Sequence, residues 1–171
     1  GPTTVDAGVL LVDGSLNATD VVVNGGTLAG SGTILTGLTG IDVNAGGQLA
    51  PGTLGGVGTL TVNAFGTEVN VADVASNSLL FDLISPALGD RVTLTAGSLN
   101  IGTGVLEFSD FAFTAGGLLA EGDYLLFDGT SPIIGSLGLS NGGVVGGFIG
   151  FLQLADGGND LVLHVIPEPG S

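Results

Sequence analysis

The sequence has no cysteine, methionine, tryptophan or lysine, and one base, Arg91, stands against 16 acids. Each shortage closes a class of function. A formal net charge of −15 with a single cation leaves nothing to neutralise a phosphate backbone, which excludes nucleic-acid binding. The same shortage excludes docking on an anionic membrane surface. With no Cys and one His, His164, disulfide frameworks, iron–sulfur clusters and ordinary zinc sites lack their ligands. Lyases of acidic sugars need cations to neutralise the uronate while its proton is removed, and Arg91 alone does not supply them. Lectin-like stacking on exposed Trp or Tyr is disfavoured too, because the one tyrosine, Tyr124, sits inside an apolar run.

Charge is scarce overall, at 10% of residues against an ordinary ~25%. The chain is nonetheless 44% hydrophobic, too apolar for a disordered segment. Its longest uncharged stretch, residues 129–155, is broken by repeated glycines, Pro132 and several Ser, Asn and Gln residues. It is not expected to cross a bilayer, which takes about 20 predominantly apolar residues. The opening Gly1-Pro2-Thr3-Thr4 has neither the basic region nor the apolar run of a signal peptide.

What the chain has is glycine, 34 residues of 171, and an internal repeat. Val5-Asp6-Ala7-Gly8 returns as Val23-Asn24-Gly25-Gly26, Val43-Asn44-Ala45-Gly46 and Val62-Asn63-Ala64-Phe65-Gly66, so the valines lie 18, 20 and 19 residues apart. Between the turns, apolar and hydroxyl residues alternate, as in Thr59-Leu60-Thr61-Val62 and Val92-Thr93-Leu94-Thr95. That period of two, rich in β-branched residues, reads as strand. Glycine recurs too often for helices, each one costing ~1 kcal/mol in a helix interior. A fixed period with short strands and Gly/Asn/Asp corners predicts an all-β fold, a parallel β-helix or β-solenoid of about 18–20 residues per coil. An antiparallel β-sandwich is the alternative, since frequent turns suit it as well.

One domain, 1–171, is expected, because no linker divides the chain. Residues 1–73 form the regular glycine-rich repeats. Residues 74–166 form C-terminal coils richer in phenylalanine (Phe81, Phe108, Phe111, Phe113, Phe127, Phe148, Phe151).

Residues 25–34, GGTLAGSGTI, and 44–62, NAGGQLAPGTLGGVGTLTV, resemble the autotransporter-associated β-strand repeat, also called the passenger-associated transport repeat. Residues 79–101 and 121–130 resemble the region that follows such repeats. LADGGNDLVLHVIPEPGS, residues 154–171, resembles the end of secreted proteins that carry a PEP-CTERM sorting signal, with Pro167, Glu168 and Pro169 as the motif and 167–171 as its remnant. A full signal of that kind continues into a membrane helix and an arginine cluster, which do not follow within these residues. The resemblance implies a secreted right-handed β-helix at a bacterial surface or in its matrix, with a structural rather than a catalytic role.

Candidate chemistry is sparse. Asn24, Asn44 and Asn63 share one repeat position and are expected to stack as a corner ladder, since Asn tolerates the left-handed backbone of a tight corner and stacked amides can bond one another. Asp156, Asn159 and Asp160 form the densest cluster of oxygen donors, a weak calcium candidate that a turn explains better. Glycoside hydrolysis needs two carboxylates across a cleft, but the acids stand mostly beside Gly or Asn, as turn formers do. A local ion pair is expected between Arg91 and Asp90, and no partner is evident for His164.

No catalytic residue, metal or cofactor is therefore expected. The expected function is a secreted, non-enzymatic structural protein of a bacterial surface layer, matrix or fibre, located outside the cell or on its surface. An adhesin or carbohydrate-binding module is the alternative, and a glycoside hydrolase a minor one. Its expected partner is itself, head to tail, or other matrix components. The expected contacts are the two solenoid ends: Val5 and Val9 at one, and Leu161, Val162 and Leu163 at the other, where unpaired strand edges invite pairing.

Overall fold

Alternation sets the architecture. In Val21-Val22-Val23, Ile41-Asp42-Val43 and Leu60-Thr61-Val62 the outer residues are buried and the middle one is half-buried, as strands with one face on a core require. A computed structural model describes residues 1–53 and 55–170 as all-β, with parallel and mixed sheets. Leu54, within the repeat-like stretch, and Ser171, the last residue of the sorting-motif remnant, lie outside the described residues. Helical turns among the described residues are two 3-10 pieces, Phe108–Asp110 and Asp156–Gly158.

Three columns of parallel strands build up layer by layer. The first layer is β1 (Thr3–Val5), β2 (Val9–Leu11) and β3 (Ser15–Asn17). The second, β4 (Val21–Val23), β5 (Thr27–Gly30) and β6 (Thr33–Leu35), pairs with it strand for strand. Next, β7 (Ile41–Val43) lies on β4, and β8 (Gln48–Pro51) on β5. Long strands then serve two columns at once. In β9 (Thr59–Asn70), residues 61–63 lie on β6 and residues 69–70 on β7.

β10 (Leu79–Ser85) meets β8 at Leu49, and β11 (Leu88–Gly89) folds back antiparallel on β10. β12 (Arg91–Leu106) pairs with both arms of β9. β13 (Phe111–Ala115) then lies on β10, while β14 (Gly122–Gly129) and β15 (Ile134–Leu137) lie on the two arms of β12. There the pattern reverses. β16 (Gly142–Val145), β17 (Phe148–Ala155) and β18 (Asp160–Pro167) form an antiparallel meander, and β18 pairs antiparallel with β14. Parallel columns of this extent do not match the antiparallel sandwich.

The register departs from a constant repeat. Val5 pairs with Val23 and Val23 with Val43, intervals of 18 and 20 residues. The next interval, Ile41 to Val69, is 28. Val69 to Leu99 is then 30, and Leu79 to Phe111 is 32. The cause is local: residues 52–58 are inserted after β8, and β10 and β12 are longer than β8 and β9, the strands on which they lie. Aromatic rings fill part of the longer layers, with Phe81 centred 5.8 Å from Phe111 and 5.6 Å from Phe127. One cluster of buried side chains runs from Val5 to Val165.

Candidate functional site

The first layer carries an aspartate at each of its three corners, and each carboxylate bonds to the layer beneath. Asp6 Oδ1 accepts from Asn24 Nδ2 at 2.8 Å. Asp13 Oδ1 accepts from the Ser31 N–H at 3.2 Å. Asp20 Oδ1 accepts from the Thr39 and Gly40 N–H groups, both at 2.9 Å, and Oδ2 from Leu38 at 3.3 Å. The Thr39 and Gly40 amides hold the Asp20 carboxyl below the ordinary aspartate range. The seven-residue spacing of these acids is visible in the sequence, but each alone reads only as a turn former.

Within the described residues, β1 pairs only with β4, β2 only with β5, and β3 only with β6. No described strand pairs with their other edges. Val9 and Leu11 are about half exposed there, whereas Val5 is buried.

The corner ladder is shorter than the repeat implies. Asn44 Nδ2 donates to Asn24 Oδ1 at 2.8 Å, and Asn24 in turn donates to Asp6. Asn63 stands elsewhere: it pairs with Leu35 and Ala96, and its buried Oδ1 has no partner among the described residues. Val62 correspondingly joins the Ile34–Leu94 column rather than the Val23–Val43 column. The inserted residues 52–58 carry the fourth copy of the motif to a different face.

The C-terminal end also differs from expectation. Leu161, Val162 and Leu163 are buried, and β18 has a strand on each side, β14 and β17. They are interior residues rather than a free self-association edge. A near-continuous apolar run without alternation marks a strand covered on both faces. The sorting-motif residues follow directly: Pro167 closes β18 opposite Phe148, and Glu168 and Pro169 lie just beyond the strand.

The remaining ionisable groups are held for structure. Asp90 is buried, and its two oxygens accept from the Gly58 N–H at 2.8 Å and the Asp82 N–H at 2.7 Å. Burial raises its pKa to about 6, with the Asp82 charge adding to the shift and the two amides opposing it. This carboxyl fastens the inserted loop to β10 and offers no open face to a substrate. Arg91 does not pair with it, contrary to expectation. Neighbouring strand residues point to opposite faces, and the Arg91 guanidinium reaches Asp128, 3.9 Å away. His164 has a cross-strand partner, Asp123, with Nδ1 and Oδ1 2.6 Å apart. Tyr124 is buried, with its hydroxyl bonded to the Ala120 main chain.

At the calcium candidate, Asp156 and Asn159 bond each other across the β17–β18 turn, while Asp160 Oδ1 accepts from Gly129 N–H at 3.0 Å. Among the described residues no group of three or more His, Cys, Asp or Glu is placed to hold a metal ion. Likewise, no helix among them is long and apolar enough to cross a membrane.

Comparison with protein-family models, with curated proteins and with solved structures gave no match. The likeness to autotransporter-associated repeats and to PEP-CTERM proteins therefore rests on the residues quoted above.

Proposed function

We propose that the chain is a secreted, non-enzymatic structural protein of a bacterial surface layer, matrix or fibre. In this reading its parallel columns are successive coils of a right-handed β-solenoid, and placement outside the cell follows from the resemblance of residues 154–171. The observation that carries it is the set of parallel columns built from β1 to β15, interrupted by the antiparallel return of β11 on β10 and tied at the corner by Asp6, Asn24 and Asn44. The chemistry agrees: the one strongly shifted carboxyl, Asp90, is spent on main-chain amides.

The same geometry reshapes the mode of association. Head-to-tail stacking needs two open ends; at the C-terminal end β18 covers β14, with β17 and β16 beyond it, while β13 and β15 each pair on one side only among the described residues. We place self-association at the first layer, where all three strands have an unpaired edge among the described residues and two copies meet edge to edge in a closed pair rather than a filament. Light scattering over a concentration series, with negative-stain electron microscopy, tests this. Expected is a shift from 16.6 kDa to twice that mass as salt screens the carboxylates, without filaments. A mass that stays monomeric at every salt and concentration defeats the association. Glycan hydrolysis abolished by changing one Asp or Glu defeats the non-enzymatic role.

A further inference from the structure

The corner where β9, β12 and the β14–β15 connection turn between columns has a use that a structural rod does not need. Phe65 stands there 82% exposed, on the bend between the two arms of β9, outside the core. Thr67, Thr95, Ser98, Thr130 and Ser131 surround it and, with glycines, line a groove of about 490 Å³. Binding sites for small organic ligands usually measure ~300–1,000 Å³. No charged side chain lines this one.

We propose that this groove binds a neutral polysaccharide chain lying across the layers. Three features choose that ligand class. First, a sugar ring offers an apolar C–H face and a rim of hydroxyls. Phe65 supplies the flat apolar partner and the Ser/Thr side chains the polar ones, each hydroxyl able both to donate and to accept. Thr95 already donates to the Val62 carbonyl and keeps acceptor sites, while Thr67 donates to the Ala64 carbonyl and also bonds the Thr36 hydroxyl at 3.3 Å. Ser98, Thr130 and Ser131 make no side-chain hydrogen bond within the described residues. An apolar peptide seated here would strand those groups away from water, an unfavourable arrangement.

Second, main chain of two layers is drawn close together at the groove. Gly97 has φ +86, and a Cβ there would lie 2.3 Å from the Ala64 carbonyl oxygen and 2.8 Å from that of Thr67. A side chain at Gly97 would run into the β9 bend, so this position contributes main chain alone to the lining. Third, the lining comes from three successive layers, at residues 65–67, 95–98 and 130–131. Layers repeat at about 4.8 Å, so a polymer of repeating units meets repeating hydroxyls where a single sugar meets one row. An acidic polymer is excluded by the net charge of −15 and the absence of any cation in the groove. The scarcity of Trp and Tyr hides this site from the sequence, because the ring it uses is a phenylalanine.

This inference is independent of the structural role, since a rod can exist without it. Affinity electrophoresis through gels containing dextran, mannan, xylan or a β-glucan, with polygalacturonate as the acidic control, tests it. The protein is expected to be retarded by at least one neutral polymer and not by polygalacturonate. Phe65→Ala is expected to weaken retardation at least tenfold, and Phe65→Trp to strengthen it. Ser98→Ala with Thr130→Ala is expected to weaken it several-fold, while Leu139→Ala, fully exposed elsewhere, leaves it unchanged. Circular dichroism of each variant separates lost binding from lost fold. Passage of the wild-type protein through all four neutral gels without delay overturns the proposal. So does retardation that a folded Phe65→Ala variant retains, or retardation by polygalacturonate of equal strength.

Discussion

The Nδ2 group of Asn24 donates to Oδ1 of Asp6 across 2.8 Å, and this bond fixes the polarity of the corner ladder. Each amide gives its protons toward the first layer: Asn44 to Asn24, then Asn24 to Asp6. An ionised carboxylate accepts and cannot donate. Asp6 therefore ends the ladder, where an asparagine would hold out another donor to a further layer.

Replacing Asn24 with alanine removes two side-chain bonds at once, to Asp6 and from Asn44. Both are exposed, so the expected loss is about 1 kcal/mol, the low end for two neutral or singly charged bonds. Asn63→Ala removes a buried oxygen that bonds nothing among the described residues and is expected to change stability by less than about 0.5 kcal/mol, or to raise it. Urea unfolding of both variants checks the contrast. Equal losses would mean that Asn63 is bonded like its repeat counterparts.

That contrast also shows where the sequence is legible. The alternating valines and the 18- and 20-residue intervals lead directly to the first two registers. The fourth motif copy misleads because its string, Val62-Asn63-Ala64, is right while its phase is not. The intervening residues 52–58 lengthen the layer, and nothing in their composition says on which side of a corner they sit. Leu161–Leu163 misleads for a different reason: an apolar strand near the end of a sequence looks like an edge until the antiparallel return of β17 and β18 is known. Asp90 and Arg91, adjacent and opposite in charge, look like partners, but the pleat turns one inward and the other out.

Asp90 makes stability depend on pH in a defined direction. Its folded pKa, about 6, lies above the 3.8 of an ordinary aspartate. The folded state thus binds the proton more tightly, and the contribution of this group to stability falls as pH rises from about 4 to about 6, then levels off. The difference amounts to roughly 2–3 kcal/mol. Asp110 and Asp160 shift in the same direction because of burial, and Asp20 in the opposite one. Comparison with Asp90→Asn cancels those background terms. Wild type should lose ground to the variant by that amount between pH 4 and pH 6 in chemical denaturation. A gap that does not change with pH would place the Asp90 titration outside this window.

Glycines differ sharply in what they tolerate. At Gly40, φ is +92 and a Cβ would lie 2.0 Å from the Glu68 carbonyl oxygen. Alanine there forces backbone atoms apart and is expected to cost about 4 kcal/mol or more, or to prevent folding. At Gly14 the backbone is not left-handed, and a methyl group would meet nothing within 4 Å. Gly14→Ala is expected to be neutral, or stabilising by up to about 1 kcal/mol through the unfolded chain. Thermal melts of the pair are the check, and similar melting temperatures would contradict the close approach at Gly40.

The strongest test of the association reading removes charge without removing structure. Asp6, Asp13 and Asp20 occupy the three corners of the first layer, and charges on strand edges oppose pairing with another chain. Two copies brought edge to edge set these carboxylates against one another, with no base among them to compensate. Repulsion between exposed groups is screened over about 10 Å at 0.1 M salt, so pairing of the wild-type protein should strengthen with ionic strength. The variant carrying Asp6→Asn, Asp13→Asn and Asp20→Asn keeps a carbonyl oxygen for the Asn24, Ser31 and Thr39 donors and loses three negative charges. It is expected to pair at low salt, at concentrations where wild type is monomeric, and to show little further change as salt is added. Sedimentation velocity at low and high salt measures both proteins directly. If the variant unfolds, circular dichroism reveals it. Asp13→Asn alone, which touches only the 3.2 Å bond from the Ser31 N–H, then carries the test with a smaller shift in the same direction. A folded variant that stays monomeric under all conditions would show that the open edges of β1, β2 and β3 do not pair with a second copy.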